Sequence, residues 1–287
     1  MSINASISRR SFIAAAAGIV AAGSLAACGN TSDNAGSAEV VGATTTLTVA
    51  ASPSPHAEIL NDFAAEKLAD EGITLEVKEY TDYILPNQDT TAGEVDCNYF
   101  QHLNYLNNYN EENGTDLVSV GKIHFEPMGV FAGKSDDLAN IADGATISVP
   151  NDATNEGRAL MLLQEQGIIT LADGAGVTAT PNDIVDNPHN VKILEQEAAM
   201  LPSTLADVDF AVINGNYAID AGLTLADAVA QESADSDAIK NEYANVIVTT
   251  PELADDERIQ ALVDVLTTDE FKEYLSETFG DSVQAAF

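Results

Sequence analysis

Polar and apolar positions change rhythm several times along the chain, and each change marks an element. Residues 13–27 are almost wholly Ala, Gly, Ile and Val. The run is too short to span a bilayer, which takes about 20 apolar residues, and it has the form of an export signal. From 29 to 45 the sequence is mostly Asn, Thr, Ser, Asp, Gly and Ala, with little to bury, as in a flexible tether. Beyond the tether the periods alternate. Residues 47–51 form a short β-type run; 55–68 repeat helically through Ile59, Leu60, Phe63 and Leu68; 73–80 alternate, with Ile73, Leu75 and Val77 on one face. Strand patterns return at 145–149, 191–194, 210–213 and 246–249, and helical ones at 155–166, 255–266 and 269–279. Strands separated by helices predict α/β layers with mostly parallel sheets, whose ligand sites sit at the carboxyl ends of strands.

One segment breaks this alternation. Residues 117–133 are long and extended, interrupted at Glu126-Pro127, and a second extended return runs over 245–250. Two such passages suit two lobes joined by two crossover strands: lobe 1 from 46–131 plus 246–287, lobe 2 from 132–245. A single continuous sheet is the other arrangement the pattern allows.

Leu25-Ala26-Ala27-Cys28 has small residues ahead of a cysteine, the form of a lipobox, so residues 1–27 are expected to be cleaved and Cys28 to carry lipid. Arg9-Arg10, with Phe12 two places on, look like a twin-arginine signal; an ordinary secretory n-region is the alternative. Residues 28–45 are then the lipidated Cys and its tether, and the protein works outside the cytoplasm at a membrane face. With Cys28 acylated, Cys97 has no intrachain partner. Composition narrows the ligand class. The chain carries 46 acidic against 11 basic residues, a net charge of −35, and cleavage removes two of the basic ones. Such a field repels phosphates, which argues against nucleic acid and against docking on an anionic lipid surface.

Three blocks carry candidate chemistry. The densest polar and aromatic stretch, Cys97-Asn98-Tyr99-Phe100-Gln101-His102-Leu103-Asn104-Tyr105, follows strand-like Glu94-Val95-Asp96 and is expected where a sheet gives way to a helix. Phe100, His102 and Tyr105 there suit a crevice wall of two rings around a titratable group, or a core aromatic pair beside a satisfied histidine. In Val149-Pro150-Asn151-Asp152-Ala153-Thr154-Asn155-Glu156-Gly157-Arg158 a strand ends, a turn follows and a helix starts. Free amides of its first turn favour an anion, and Arg158 is placed to grip a carboxylate through two hydrogen bonds; a surface pair with Glu156 or another acid is the alternative. In Ile213-Asn214-Gly215-Asn216, two amides flank a glycine at a strand end, offering donors and acceptors without charge, though Asn-Gly-Asn is also ordinary turn chemistry.

Together these blocks resemble one family. Ser54-Pro55-His56-Ala57-Glu58-Ile59-Leu60, Asp82-Tyr83 with Pro86-Asn87, Asn98-Tyr99-Phe100-Gln101-His102, Glu126-Pro127-Met128-Gly129, Pro150-Asn151-Asp152 with Gly157-Arg158-Ala159-Leu160, Glu197-Ala198-Ala199, Leu201-Pro202 and Ile213-Asn214-Gly215-Asn216 fall in the order of the NlpA lipoproteins, the methionine-binding proteins of ABC importers. The resemblance implies a type II periplasmic-binding-protein fold, two α/β lobes joined by two crossover strands and closing on methionine, L or D, for delivery to ABC permease subunits in the membrane. It puts Tyr83, Phe100 and Tyr105 around the thioether, a polarizable group that favours aromatic contact. It puts Arg158 on the carboxylate, with His102, Asn155 and Asn214 or Asn216 completing the polar contacts. The ammonium falls to Asn216, with Glu126 a further source of countercharge. Ser203 and Met200 depart from the residues common in the family at those positions.

Rival classes leave weaker traces. No Gly-x-Ser-x-Gly occurs and Cys97 has no context of a catalytic thiol, so no enzyme and no cofactor are expected. A metal-binding lipoprotein would use His56, His102, His124 and His189, with Cys97 a further candidate ligand, yet no His-rich loop and no His-x-x-x-His pair occurs. A purely structural lipoprotein is a third possibility. Within the favoured class, a methionine-containing dipeptide or another small amino acid stands beside methionine.

Overall fold

In a computed structural model, which describes residues 45–233 and 242–287, the apolar runs assemble into two separate sheets. The export signal, Cys28 and the tether through residue 44 lie outside the described residues. Strands β1 (Thr45–Ala51), β2 (Ile73–Glu79), β3 (Cys97–His102), β4 (Val118–Phe125), β12 (Ala244–Thr249) and β13 (Gln284–Ala285) form the first sheet, in the order β13-β4-β12-β3-β1-β2. Strands β5 (Gly129–Ala132), β6 (Thr146–Pro150), β9 (Lys192–Gln196), β10 (Phe210–Ile213) and β11 (Ala228–Gln231) form the second, in the order β11-β5-β10-β6-β9. A small third pair joins β7 (Thr170–Leu171) to β8 (Ile184–Asp186).

Both sheets are mixed, which corrects the expectation of mostly parallel pairing. β1 runs parallel to β2 and β3, and β6 to β9 and β10. β12 opposes both β3 and β4, and β5 opposes both β10 and β11. The reason lies in the crossovers. β3, β4, β6 and β10 all end at the junction between the sheets, whereas β5 and β12 begin there, each having just crossed from the other sheet, and so must run the opposite way.

Each sheet buries its own core. Leu47 and Val49 of β1 meet Ile59, Leu60 and Phe63 from the helical stretch that leads into α1 (Ala65–Asp70), and Leu68 of α1 itself. On the same core lie Ile259 and Leu262 of α7 (Glu257–Val265) and Phe271 and Leu275 of α8 (Asp269–Phe279). Both C-terminal helices are started by side-chain caps, Asp256 on the Arg258 N–H and Thr268 on the Phe271 N–H. The second core joins Val130, Ile147, Val149, Phe210 and Val212 to Leu160 and Leu163 of α4 (Ala153–Glu165).

The polar block at 97–105 is the second correction. Cys97–His102 is itself a strand, fully buried at all six positions, and the helix α3 (Leu103–Asn113) starts only after it. Its amides are satisfied sideways by α2 (Leu85–Ala92): Asn98 donates to Thr90 at 2.7 Å and to Asn87 at 3.0 Å, and Gln101 donates to Asn87 at 2.6 Å. A buried strand with polar side chains is stable here because every such amide is bonded.

Candidate functional site

Four polypeptide ends converge at the junction of the sheets. The loop after β2 carries Tyr83, where the Asp82 carboxylate accepts from the Ile84 and Leu85 N–H groups and so fixes the turn. The end of β3 presents Phe100 and His102, and the first turn of α3 presents Tyr105. Helix α4 carries Asn155 and Arg158. After β10, Asn214 starts the short helix α6 (Gly215–Asp220), which carries Asn216. All eight of these residues, the whole set put forward from sequence, line one cavity. Gln101, Glu126, Gly215 and Asn245 complete its wall.

One side of the cavity is aromatic. The rings of Tyr83, Phe100 and Tyr105 pack mutually with centroids 5.8–5.9 Å apart. The Tyr105 hydroxyl donates to the Tyr83 carbonyl at 2.9 Å, and the Tyr83 hydroxyl to Asn216 Oδ1 at 2.5 Å. Phe100 is buried yet belongs to neither core, so its ring serves the cavity wall.

The other side is a chain of amides. The Tyr105 N–H donates to His102 Nδ1 at 3.0 Å, which leaves the proton on Nε2 to donate to Asn155 Oδ1 at 3.1 Å. Asn214 Nδ2 donates to the same oxygen at 2.7 Å. Burial, with help from the Arg158 charge, pushes the His102 pKa down to about 3, so the ring is neutral at physiological pH. Asn155 is held from behind by Asp152, whose carboxylate accepts from both its backbone N–H and its side-chain amide. The first turn of α4 is therefore capped by the protein's own acid, which takes the Asn155 N–H out of the set of free amides expected there.

Arg158 is fully engaged on its inner side. Its Nε donates to Glu232 Oε1 at 2.7 Å, and Nη2 donates to Glu232 Oε2 at 2.6 Å and to the Glu126 carbonyl at 2.8 Å. The Tyr243 ring lies over it at 4.2 Å. This buried fork replaces the surface pair with Glu156 as the alternative to a ligand grip. Gly157, just before it, has no room for a side chain: a Cβ there would stand 2.2 Å from the Val177 carbonyl oxygen.

Glu126 enters from the first crossover. Its Oε1 accepts from His124 Nε2 at 2.6 Å, and His56 Nε2 stands 3.5 Å away. Burial raises the Glu126 pKa, an effect opposed by His56 and Arg158. Gly215 makes room for this carboxylate, since a Cβ there would lie 2.6 Å from Glu126 Cβ. His56, His124 and Glu126 offer a zinc-type donor set. Two ligands of one zinc, each about 2.0–2.2 Å from it, stand roughly 3.3–3.5 Å apart; the 2.6 Å His124–Glu126 contact is a hydrogen bond instead.

Sequence reasoning overlooked Glu232, Tyr243, Asn245 and Gln101. Glu232 lies 74 residues from Arg158, in an acid-rich stretch where no periodicity singles it out. Tyr243 and Asn245 open the return crossover, and their position on it is the one available signal.

Two α/β lobes, crossovers between them and a cavity at the strand ends define a solute-binding protein of the type II periplasmic class. The chain belongs to the NlpA lipoprotein family, whose model matches residues 47–287. It is 41% identical over 226 residues to the D-methionine-binding lipoprotein MetQ of Salmonella typhimurium, covering 78% of this chain and 80% of that one. Among solved structures, a putative lipoprotein from Ruminococcus gnavus is 50% identical with a TM-score of 0.82, covering 84% of this chain and 99% of that one. A nutrient-binding protein from Burkholderia cenocepacia, solved bound to methionine, is 39% identical with a TM-score of 0.78, covering 84% and 100%.

Proposed function

We propose that the protein is an extracytoplasmic solute-binding lipoprotein that closes on methionine and hands it to the permease subunits of an ABC importer. Each lobe carries one sheet, so β5 (Gly129–Ala132), expected mostly in lobe 1, falls to lobe 2, and Ala244 and Asn245 of β12, expected in lobe 2, fall to lobe 1; Cys28 carries the lipid that holds them to the membrane. The observation that carries the reading is a single cavity with a three-ring wall on one side and amides with a guanidinium on the other. That division matches an amino acid with an apolar, polarizable side chain: a thioether gains about 0.3–1.5 kcal/mol from each good aromatic contact, while a zwitterion leaving water needs polar partners at both ends. Tyr83, Phe100 and Tyr105 take the thioether. Arg158, with His102, Asn155, Asn214 and Asn216, takes the polar end. The protein acts by binding, not by catalysis.

Native mass spectrometry of freshly purified protein, followed by calorimetry with L- and D-methionine, tests this. The expected result is a co-purified mass of methionine and saturable binding of at least one enantiomer. A different co-purified mass, with no heat from either enantiomer, overturns it.

A further inference from the structure

Helix α2 has almost nothing apolar to hold it in place. It buries only Pro86, Asn87 and Thr90, and Leu85, its one large aliphatic side chain, is 45% exposed. None of its residues belongs to the apolar clusters formed by the described residues. Amides do the docking instead. Asn87 and Gln101 pair reciprocally: Asn87 Nδ2 donates to Gln101 Oε1 at 2.9 Å, and Gln101 Nε2 donates to Asn87 Oδ1 at 2.6 Å. Asn98 closes the cluster, accepting from Gln101 Nε2 at 2.8 Å and donating to Asn87 Oδ1 and Thr90 Oγ1. Further along the helix, the Tyr80 hydroxyl donates to Asp89.

Strand β3 is distorted to meet this helix. Asn98 and Gln101 lie three residues apart, and strict alternation would turn them to opposite faces of the sheet. The pairing with β12 skips a residue between them: Ile247 stands opposite Tyr99 and Val246 opposite Gln101, so Phe100 is a bulge. The extra residue reverses the alternation, which lets both amides bond to α2 while Phe100 lines the cavity. Gln101 lines the cavity too, yet Asn87 and Asn98 already occupy the hydrogens of its amide, and it has none left to donate to a ligand.

Tyr83 sits on the loop just ahead of α2, in the turn that Asp82 fixes. Part of its support comes from the other lobe, through the bond to Asn216 and the packing on Tyr217. Those contacts end when the lobes part. The amide cluster lies wholly within lobe 1 and does not. We infer that Asn87 and Gln101 are positioning residues that set the site's preference for the ligand's side chain: by docking α2 on the bulged strand, they hold the Tyr83 ring against Phe100 before the lobes close. This rests on the reading of the cavity as an amino-acid site with Tyr83 at the thioether.

A double-mutant cycle read by calorimetry with L-methionine tests it. Asn87→Ala is expected to weaken methionine binding about 2- to 12-fold, the worth of one aromatic contact to the sulfur, and to add no further loss in a Tyr83→Ala background. Affinity for L-alanine, whose side chain is too short to reach the rings, should be the same in the parent and in Asn87→Ala. The same loss with Tyr83 removed, the same loss for alanine, or no loss for methionine overturns the inference. Melting of each variant without ligand reports its folding. Should Asn87→Ala unfold, Asn87→Leu with Gln101→Met, which replaces both partners by apolar groups of similar size, takes its place in the cycle with the same expected outcomes. A parent protein that does not bind methionine refutes the ligand assignment alone, and the amino acid that co-purifies then serves in the cycle. Tyr83→Ala that binds methionine as tightly as the parent refutes the placing of the thioether, and this inference with it.

Discussion

Arg158 and Glu232 are held as a unit, and that changes what removing either one does. Both are buried, and Arg158→Ala would leave the Glu232 carboxylate without its cation. Breaking a buried pair from one side costs about 3–5 kcal/mol, so Arg158→Ala is expected to melt well below the parent even without ligand. Arg158→Met with Glu232→Gln should restore much of that stability and still bind methionine poorly. Thermal melts of both variants, read beside calorimetry, separate the structural part of the loss from the binding part. His102 gives a cleaner electrostatic test. Its folded pKa of about 3 lies below the ordinary histidine value of 6.5, so its contribution to stability is complete above pH 6.5 and is lost as pH falls from there toward 3. His102→Gln removes the titrating ring. The stability difference between parent and variant should therefore shift in the variant's favour by about 1.4 kcal/mol for each pH unit below 6.5, measured by urea unfolding of the empty proteins. A difference independent of pH would mean that the ring is solvated and charged.

At the level of elements, local periodicity located most strands and helices because it reports which face is buried. The strand at 210–213 and the last helix at 269–279 coincide with β10 and α8. Periodicity carries no information on pairing direction, which is why the mixed sheets were not legible. It also fails where burial is complete and polar: β3 shows no alternation, since Asn98 and Gln101 are paid back by Asn87 and Thr90 from another helix. The candidate site was largely readable because its residues sit at strand ends, where short polar motifs follow apolar runs; Glu232 was not, because nothing local marks an acid whose purpose is a distant arginine. Asp152 joins the two levels. It caps α4 and holds the Asn155 side chain through the same oxygen. Asp152→Ala is expected to lose about 1 kcal/mol of stability with the cap and, in addition, methionine affinity, because the Asn155 amide loses its anchor. Asp152→Asn, an equally good cap with an acceptor oxygen, should recover both in melting and calorimetry. Equal affinity loss in the two variants would point to the charge of Asp152 rather than to its hydrogen bonds.

Among the described residues, the hydrogen bonds that span from the first-sheet side to the second include His102 to Asn155, Tyr83 to Asn216, and the Tyr217 hydroxyl to the Thr81 carbonyl at 3.1 Å. The first two involve cavity residues, so altering them changes the ligand's own surroundings. Tyr217 is different. Its ring packs on Tyr83 with centroids 4.9 Å apart, outside the residues that line the cavity, and its hydroxyl reaches across to the loop that carries Tyr83. In a protein that works by closing on its ligand, a bond formed between lobes but away from the ligand stabilises the closed form alone, and its loss is felt in the rate at which the closed form opens. Tyr217→Phe keeps the ring and deletes that bond, whose net worth is about 0.5–1.5 kcal/mol. Stopped-flow measurements should therefore find methionine leaving roughly 2- to 12-fold faster, with the association rate nearly unchanged and the empty protein melting within a few degrees of the parent. An unchanged dissociation rate would mean that Tyr217 holds its loop in both open and closed forms and takes no part in closure.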